Sequence, residues 1–551
     1  MKGIISKSRW TLGLTLCVLL TQDLAAAPAT TVEQTTQGDS FQQTVSRKLS
    51  ALEETRLPVT QFYRLRDGRP AWQEETAVIA LADALERLEE DGLEPSDYRA
   101  SQLLQDYRHA QERSSETQAE FDITTTRHFL LALEHLGRGK VDPSKLEPQW
   151  GSKTPERNYA LAAVIQRVDS GEIEAALELA RPDHAYYRQL RDGLNRYRQL
   201  ASQGSLPLLP QRDEALRPGD THDDVTLLRR RLESVGAFEM MAADGSAYPQ
   251  VQLQFTGEPR NYDSELERAV KEFQRRHLLQ ADGVVGEKTR AALNTSLSSR
   301  VEQLRVNLER ARWIRPDRDN APHVWVDIAG YRLRYVRPGG EEWNGRVVVG
   351  KPRRETPVIH SAITHLTLNP TWTIPPTILR EDVLPQVRRD IGYLARENLQ
   401  VLSSSGEVLD PESINWESPG GIMLRQRAGA HNPLGELVVR FPNDQIIYLH
   451  DTPAQGLFRR DQRALSSGCV RVEGVKEFAQ LLLEDSGSTR RLEAMLGRGT
   501  NRQVDLPREI PVALYYMTAW PDDLGEMEFR PDIYRRDDAV LSALRRPVSL
   551  G

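Results

Sequence analysis

The chain of 551 residues is poor in cysteine, with Cys17 and Cys469 alone. A disulfide framework is therefore excluded. It also lacks a basic excess: 72 Lys and Arg stand against 79 Asp and Glu, a net charge of −7. That balance argues against nucleic acid as a partner. Long apolar runs are missing apart from one near the N-terminus, and the mean hydropathy is −0.54. A polytopic membrane protein is thereby excluded. What remains is ordinary for a globular chain, 39% hydrophobic and 27% charged, and neither fibrous nor disordered as a whole. The length suggests about three domains or more.

The one apolar run, Trp10 to Leu20, follows Lys2, Lys7 and Arg9 and precedes Ala25-Ala26-Ala27-Pro28-Ala29. A positive start, a short apolar stretch and small residues read as a secretory signal over 1–29. The run is shorter than the ~20 residues that span a bilayer, so cleavage is expected; an uncleaved signal would anchor the chain instead. Cys17 leaves with the signal, and the exported chain keeps one thiol, Cys469. A leftover thiol is either a buried structural group or a reactive one.

Residues 30–50, rich in Thr, Gln and Ser, read as a tether. From 51 to 205 the apolar spacing is mainly helical, as at Ala82, Leu85 and Leu88, and a helical scaffold is expected. It carries no chemical constellation, so its role is read as recognition or positioning, including docking of partner proteins. Gly204, Pro207, Pro210 and Pro218 mark a linker. Residues 218–297 then show a Leu-rich first helix, Phe273-Gln274, and Asp282-Gly283-Val284-Val285-Gly286 with Thr289. These resemble the peptidoglycan-binding domain type 1, with a longer middle at Glu239–Pro259. The resemblance implies a wall-binding role.

From Val324 the pattern changes to short strands: Val324–Ile328, Arg332–Val336, Arg346–Gly350, Ile363–Leu368, Leu437–Phe441 and Ile446–His450. Between about 379 and 426 the period is helical and loop-like, which suggests a lid inserted in a β-rich domain spanning 300–500. Residues 501–551, with extended segments at Ile510–Trp520 and Met527–Tyr534, read as a C-terminal extension packed on that domain. The expected fold class is thus multidomain α+β, with a helical scaffold, a small helical binding domain and a β-rich catalytic domain.

The stretch that carries chemistry is His450-Asp451-Thr452-Pro453 followed by Ser466-Ser467-Gly468-Cys469-Val470-Arg471-Val472. His450 ends an expected strand. Cys469 is expected on a turn just before a helix over Val475–Leu482, whose N-terminus would lower the thiol pKa. A nearby imidazole can take the thiol proton and make a nucleophile. The small residues Ser466, Ser467 and Gly468 let backbone amides approach a reacting carbonyl as an oxyanion hole. Asp451, next along the strand, points away from His450, so a backbone carbonyl is the expected partner of the ring.

The string resembles the YkuD-type L,D-transpeptidase catalytic domain, whose signature is His-x-x, a spacer and Ser-x-Gly-Cys-x-Arg. Ser467 stands where the common form has a second histidine. Val349-Gly350 with Thr356-Pro357, Asn369-Pro370-x-Trp372-x-x-Pro375 and Tyr516–Trp520 resemble large periplasmic members with a scaffold and a lid. The resemblance implies that Cys469 attacks a tetrapeptide stem, expels D-Ala and forms a thioester. A neighbouring stem amine then takes the acyl group in a 3→3 cross-link, with His450 as base and then acid. It also implies acylation by carbapenems, and no metal or cofactor.

Other candidates are less specific. Arg471 suits a carboxylate clamp or a structural ion pair equally. Tyr448 shares a strand face with His450, and it lines the site or belongs to the core. Ser467 is a candidate substrate contact and Ser466 a turn residue. Trp372, Trp416 and Met423 are possible substrate-lining residues. His360 and His365 invite a zinc reading, but no third ligand has metal-like spacing, and no metal is expected. The same acyl-enzyme could pass its acyl group to water, as an L,D-carboxypeptidase, or to a protein lysine, as a protein-to-wall attachment enzyme. A non-enzymatic wall-binding scaffold is the reading from another class.

Overall fold

The computed structural model describes residues 41–49, 58–146, 159–204, 207–236, 255, 257–314, 322–522 and 525–548. The expected signal over 1–29, the first part of the tether and most of the Glu239–Pro259 insertion lie outside them. The end of the expected tether is different: residues 41–49 form a helix that buries Phe41 and Val45 in the scaffold core. Its apolar residues lie four apart and so fall on one face, within a composition otherwise polar enough to read as linker. No helix among the described residues is long and apolar enough to cross a membrane.

Two helical units precede the β-rich part. In the first, Asp122 is buried and accepts from the Ala71 and Trp72 amides at 3.0 and 2.7 Å. This pins the chain after the helix Pro58–Leu65 to the long helix Ser115–Arg138. In the second, Gln274 explains the sequence motif. Its amide nitrogen donates to Asp282, the Val284 carbonyl and Thr289 at 3.0–3.2 Å, and its oxygen accepts from the Gly283 amide at 2.9 Å. The motif builds a turn against the helix Ser264–Arg276.

Strands follow at β1 (His323–Asp327), β2 (Arg332–Val336), β3 (Glu342–Gly350), β4 (Ile359–Leu368), β5 (Trp372–Thr373), β6 (Leu399–Ser403), β7 (Val408–Leu409) and β8 (Ile422–Gln426). They continue with β9 (Leu437–Arg440), β10 (Leu449–His450), β11 (Ala464–Ser466), β12 (Val470–Val472), β13 (Arg502–Tyr515), β14 (Ala519–Pro521) and β15 (Met527–Phe529). The main sheet runs β11-β3-β12-β10-β9-β4-β13-β1-β2, and β2 pairs back onto β3. The sheet therefore closes on itself as a barrel with β11 added outside. Val326, Leu333, Val347, Leu449, Val470, Val472 and Leu514 fill the interior.

Two boundaries differ from the sequence reading. Residues 501–551 are not a peripheral extension, because β13 lies between β4 and β1 in the barrel wall. Pro507 and Pro511 obscured it, since proline is disfavoured inside a strand; a register shift between Asp505 and Ile510 accommodates Pro507. The lid is also wider than 379–426. β5 joins β8, β6 and β7 in a separate four-stranded sheet with its own core of Ile374, Val387, Leu394, Val401 and Leu424.

The helix Leu297–Trp313 joins scaffold to barrel, and charged residues on it are buried. Arg312 donates to Glu309 at 2.8 Å, and both side chains are fully buried. Glu309 also accepts from the Val141 amide at 2.6 Å, and Arg312 donates to the Asp91 carbonyl and the Tyr187 hydroxyl. On the barrel side Asn307 exchanges two 2.8 Å hydrogen bonds with Thr518. Removing one member of a buried ion pair strands the other charge. Arg312→Met is expected to lower stability by about 3–5 kcal/mol in denaturant unfolding, and Arg312→Met with Glu309→Leu to recover part of it. A single variant no less stable than the double would contradict this.

Candidate active site

The site lies on the outer face of the barrel where β10 and β12 run parallel, with Leu449 opposite Val470 and His450 opposite Arg471. Alternation sends Leu449, Val470 and Val472 inward and leaves His450 and Arg471 on the other side. Cys469 is the residue before β12, half-buried and packed beside Tyr448, Leu434, Val438 and Trp372. It is not at a helix N-terminus. β12 intervenes, and the helix begins at Val475. The expected lowering of the thiol pKa by a helix end does not occur, because strand pairing claims the three residues after the cysteine.

The nucleophile loop is held by side chains. The Ser466 hydroxyl donates to the Cys469 carbonyl at 2.6 Å and accepts from the Gly468 amide at 3.1 Å. Thr356 donates to the Gly468 carbonyl at 2.7 Å and accepts from the Gly350 amide at 2.8 Å. Gly468 has φ +115°, a conformation that favours glycine. The expected oxyanion role of the Gly468 amide is therefore corrected: that N–H is committed to Ser466, and the Val470 N–H to the Tyr448 carbonyl. Among the described residues the Ser467 and Cys469 amides make no hydrogen bond. Ser467 is exposed and accepts from Arg354 at 3.0 Å.

His450 is buried, and its Nδ1 lies 2.5 Å from the Asp451 carbonyl. A carbonyl only accepts, so Nδ1 donates to it, and the ring is also hydrogen-bonded to the Pro433 backbone. The Asp451 carboxylate turns away and accepts from the Glu436 amide at 3.0 Å. Burial, with the Arg471 and Arg440 charges, pushes the imidazole down to about 3, so the ring is neutral. Burial likewise pushes the Cys469 thiol up, against the opposing pull of Tyr448 hydrogen bonds and the two arginines. The thiol is 3.8 Å from the Ile446 carbonyl. The resting pair is thus a neutral thiol and a neutral base.

Tyr448 stands between them. It hydrogen-bonds with Cys469, and its ring packs edge-on to the imidazole with centroids 5.9 Å apart. It belongs to the site. Trp372, from the lid sheet, also reaches Tyr448 and packs on the same apolar cluster as Cys469. Trp416 and Met423 do not join them. Trp416 packs in the lid's own core and donates to the Pro411 carbonyl at 3.0 Å. Met423 is half-buried on β8 opposite Leu402. Both were singled out by chain position, and the lid closes its own core around that part of the chain.

Arg471 has no carboxylate partner among the described residues, and its buried Nε has no hydrogen bond. The structural ion-pair reading of Arg471 is thereby removed. Arg440, which the sequence reading missed, lies with its guanidinium 4.4 Å from the Tyr448 ring centre and is likewise without a carboxylate. Its signal was positional: β9 pairs with β10, so Arg440 shares the outer face with His450. That pairing is invisible before the fold is known.

Two pH effects follow from this electrostatics. Alkylation of Cys469 by iodoacetamide should climb through and beyond the ordinary thiol range near ~8.5. A rate plateau on the acid side of neutrality would instead indicate a preformed thiolate–imidazolium pair. The unfolded chain takes up a proton on His450 near ~6.5, whereas the folded chain resists until about 3. The His450 contribution to stability is therefore complete above ~6.5 and lost as pH falls toward about 3. Denaturation midpoints measured across that window should slope less in His450→Gln.

Comparison with known proteins identifies the domains. Residues 321–505 match the L,D-transpeptidase catalytic domain, 58–194 the scaffold domain, and 221–293 the family described as "Putative peptidoglycan binding domain". A Haemophilus influenzae protein named "Putative L,D-transpeptidase" is 40% identical over 251 residues, 45% of this chain and 50% of that protein. The chain thus spans about half the length of that relative. A crystal structure of an L,D-transpeptidase from Xylanimonas cellulosilytica is 19% identical and covers 56% of this chain and 100% of its own, with a TM-score of 0.17. Another, from Stackebrandtia nassauensis, is 13% identical and covers 56% and 96%, with a TM-score of 0.21. Superpositions this loose add nothing to the site. By these matches the chain carries an L,D-transpeptidase catalytic domain of the YkuD type over residues 321–505, preceded by a scaffold domain and a peptidoglycan-binding domain.

Proposed function

We propose that the protein is a cysteine-dependent L,D-transpeptidase that forms 3→3 cross-links between peptidoglycan stems outside the cytoplasm. The observation that carries this reading is the locked Cys469 loop hydrogen-bonded to Tyr448, whose ring packs on a buried, neutral His450 with its Nδ1 proton tied to a backbone carbonyl. A neutral imidazole is a base, and the thiol needs one because burial holds it protonated.

Cys469 gives its proton to His450 as sulfur attacks the carbonyl of the third stem residue. The free Ser467 and Cys469 amides receive the developing oxyanion, a task worth about 3–4 kcal/mol per donor where measured. The tetrahedral centre collapses, the C–N bond breaks, and His450 returns the proton to the departing D-Ala amine. The acyl group remains as a thioester. The side-chain amine of a neighbouring stem then attacks, His450 accepts its proton, and the thiolate leaves and is reprotonated. Tyr448 orients both groups. Arg471 and Arg440, cationic and without carboxylate partners, suit the carboxylates of the stem. Trp372 supplies an apolar wall from the lid. The signal read over residues 1–29 supports a periplasmic location, the peptidoglycan-binding domain supports a hold on the wall, and the scaffold is assigned to positioning, including docking of other wall enzymes.

Mass spectrometry of the full protein with tetrapeptide-bearing muropeptides tests the reading. The intact protein should give a 3→3 dimer and free D-Ala, and Cys469→Ala neither. Tripeptide and D-Ala without dimer would make it an L,D-carboxypeptidase; absence of any acyl-enzyme would favour the wall-binding scaffold. Arg471→Ala should lower kcat/KM roughly tenfold to a hundredfold through a lost charge-assisted contact. An unchanged kcat/KM would remove Arg471 from substrate binding.

A further inference from the structure

One arginine outside the thiol–imidazole pair bridges the lid and the nucleophile loop. Arg354 lies in the turn between β3 and β4, where its amide donates to the Lys351 carbonyl at 2.7 Å. The same turn carries Thr356, which holds the Gly468 carbonyl. The Arg354 guanidinium donates to Ser467 Oγ at 3.0 Å, two residues before Cys469. It also reaches Asp382 at 2.5 Å and Glu381 at 2.6 Å, on the lid turn Leu379–Val383.

The two ends of this bridge differ in exposure. The Arg354 side chain is 10% exposed, whereas Glu381 and Asp382 are each 46% exposed. The guanidinium therefore stays with the barrel, while the carboxylates can leave it for water at little cost. A planar fork that binds two carboxylates and a hydroxyl fixes direction as well as distance. Lid closure and the placement of the nucleophile loop thus meet in one side chain.

We infer that Arg354 is a latch: a positioning residue that holds the lid closed and, in the same contact, sets the Ser467 side of the Cys469 loop. The inference rests on the transpeptidase reading for its purpose, but its geometry is independent of it. When the latch is broken the lid opens more often, and a bulky reagent gains more access to Cys469 than a small one does.

The test uses the full-length protein alkylated at Cys469 with iodoacetamide and with a fluorescein maleimide. The ratio of bulky to small reagent rates should rise about tenfold in Arg354→Ala and in Glu381→Gln with Asp382→Asn, with Arg354→Lys between them and wild type. In the muropeptide assay KM should rise more than kcat falls. A ratio unchanged in both the arginine and the carboxylate variants would overturn the latch. Should Arg354→Ala fail to fold, the carboxylate pair, being half exposed, still decides it. Alkylation needs no transpeptidation, so an inactive but gated protein would refute the proposed function and leave the latch standing.

Discussion

The structure hangs on the helix Leu297–Trp313, because it satisfies polar groups on two bodies at once. On one side Arg305 reaches the Gly92 carbonyl and Glu94, and Arg312 reaches Asp91 and Tyr187. On the other, Gln303 and Asn307 bind the backbone and side chain of Thr518, and Arg310 binds Asp537. A buried charge is tolerated only when its partners are in place. Such a helix therefore dictates geometry in a way an apolar one does not, because sliding by one turn would leave several charges stranded. The scaffold and the barrel are consequently held in a fixed relation, and the lid is the part left free of this network.

The site works by contrast of environments. Burial neutralises His450 and Cys469 alike, so neither attracts counter-ions in the resting state. Arg440 and Arg471, on the same sheet face, have no carboxylate partner among the described residues. A pocket with neutral reactive groups and cationic edges invites an anionic, peptide-like ligand while discouraging the thiol from ionising in its absence.

Much of this was legible in the chain. His450 and Cys469 stood out because strand, spacer and small-residue turn recur as one string. Their neighbour Tyr448 followed from two-residue periodicity. The turn of the second domain was legible because Gln274 and the Asp282–Thr289 run form one closed hydrogen-bond set. Other features depend on long-range pairing and leave no local trace. Arg440 and Arg354 become site residues only when β9 and the lid fall into place. β13 was read as part of an extension packed on the domain, because its pairing with β4 and β1 is long-range and leaves no local trace. The Leu297–Trp313 helix was passed over because its inward residues are charged, which reverses the usual sign of burial. The Cys469 environment was misjudged for a related reason: three strand residues separate it from the helix that was expected to activate it.

The position of β13 has a consequence for the order in which the molecule can assemble. The barrel wall between β4 and β1 is filled by residues 502–515, near the end of the chain. The scaffold core draws only on residues 41–180. A polypeptide made or translocated from its N-terminus can therefore pack the scaffold long before the barrel has its last stave. Until that strand arrives, β1 and β4 present open edges, the form of strand most prone to pair wrongly. Contacts between strands so far apart in sequence also form slowly. The Cys469 loop, next to β12 of that barrel, is thus among the last features to be completed, after the scaffold is in place.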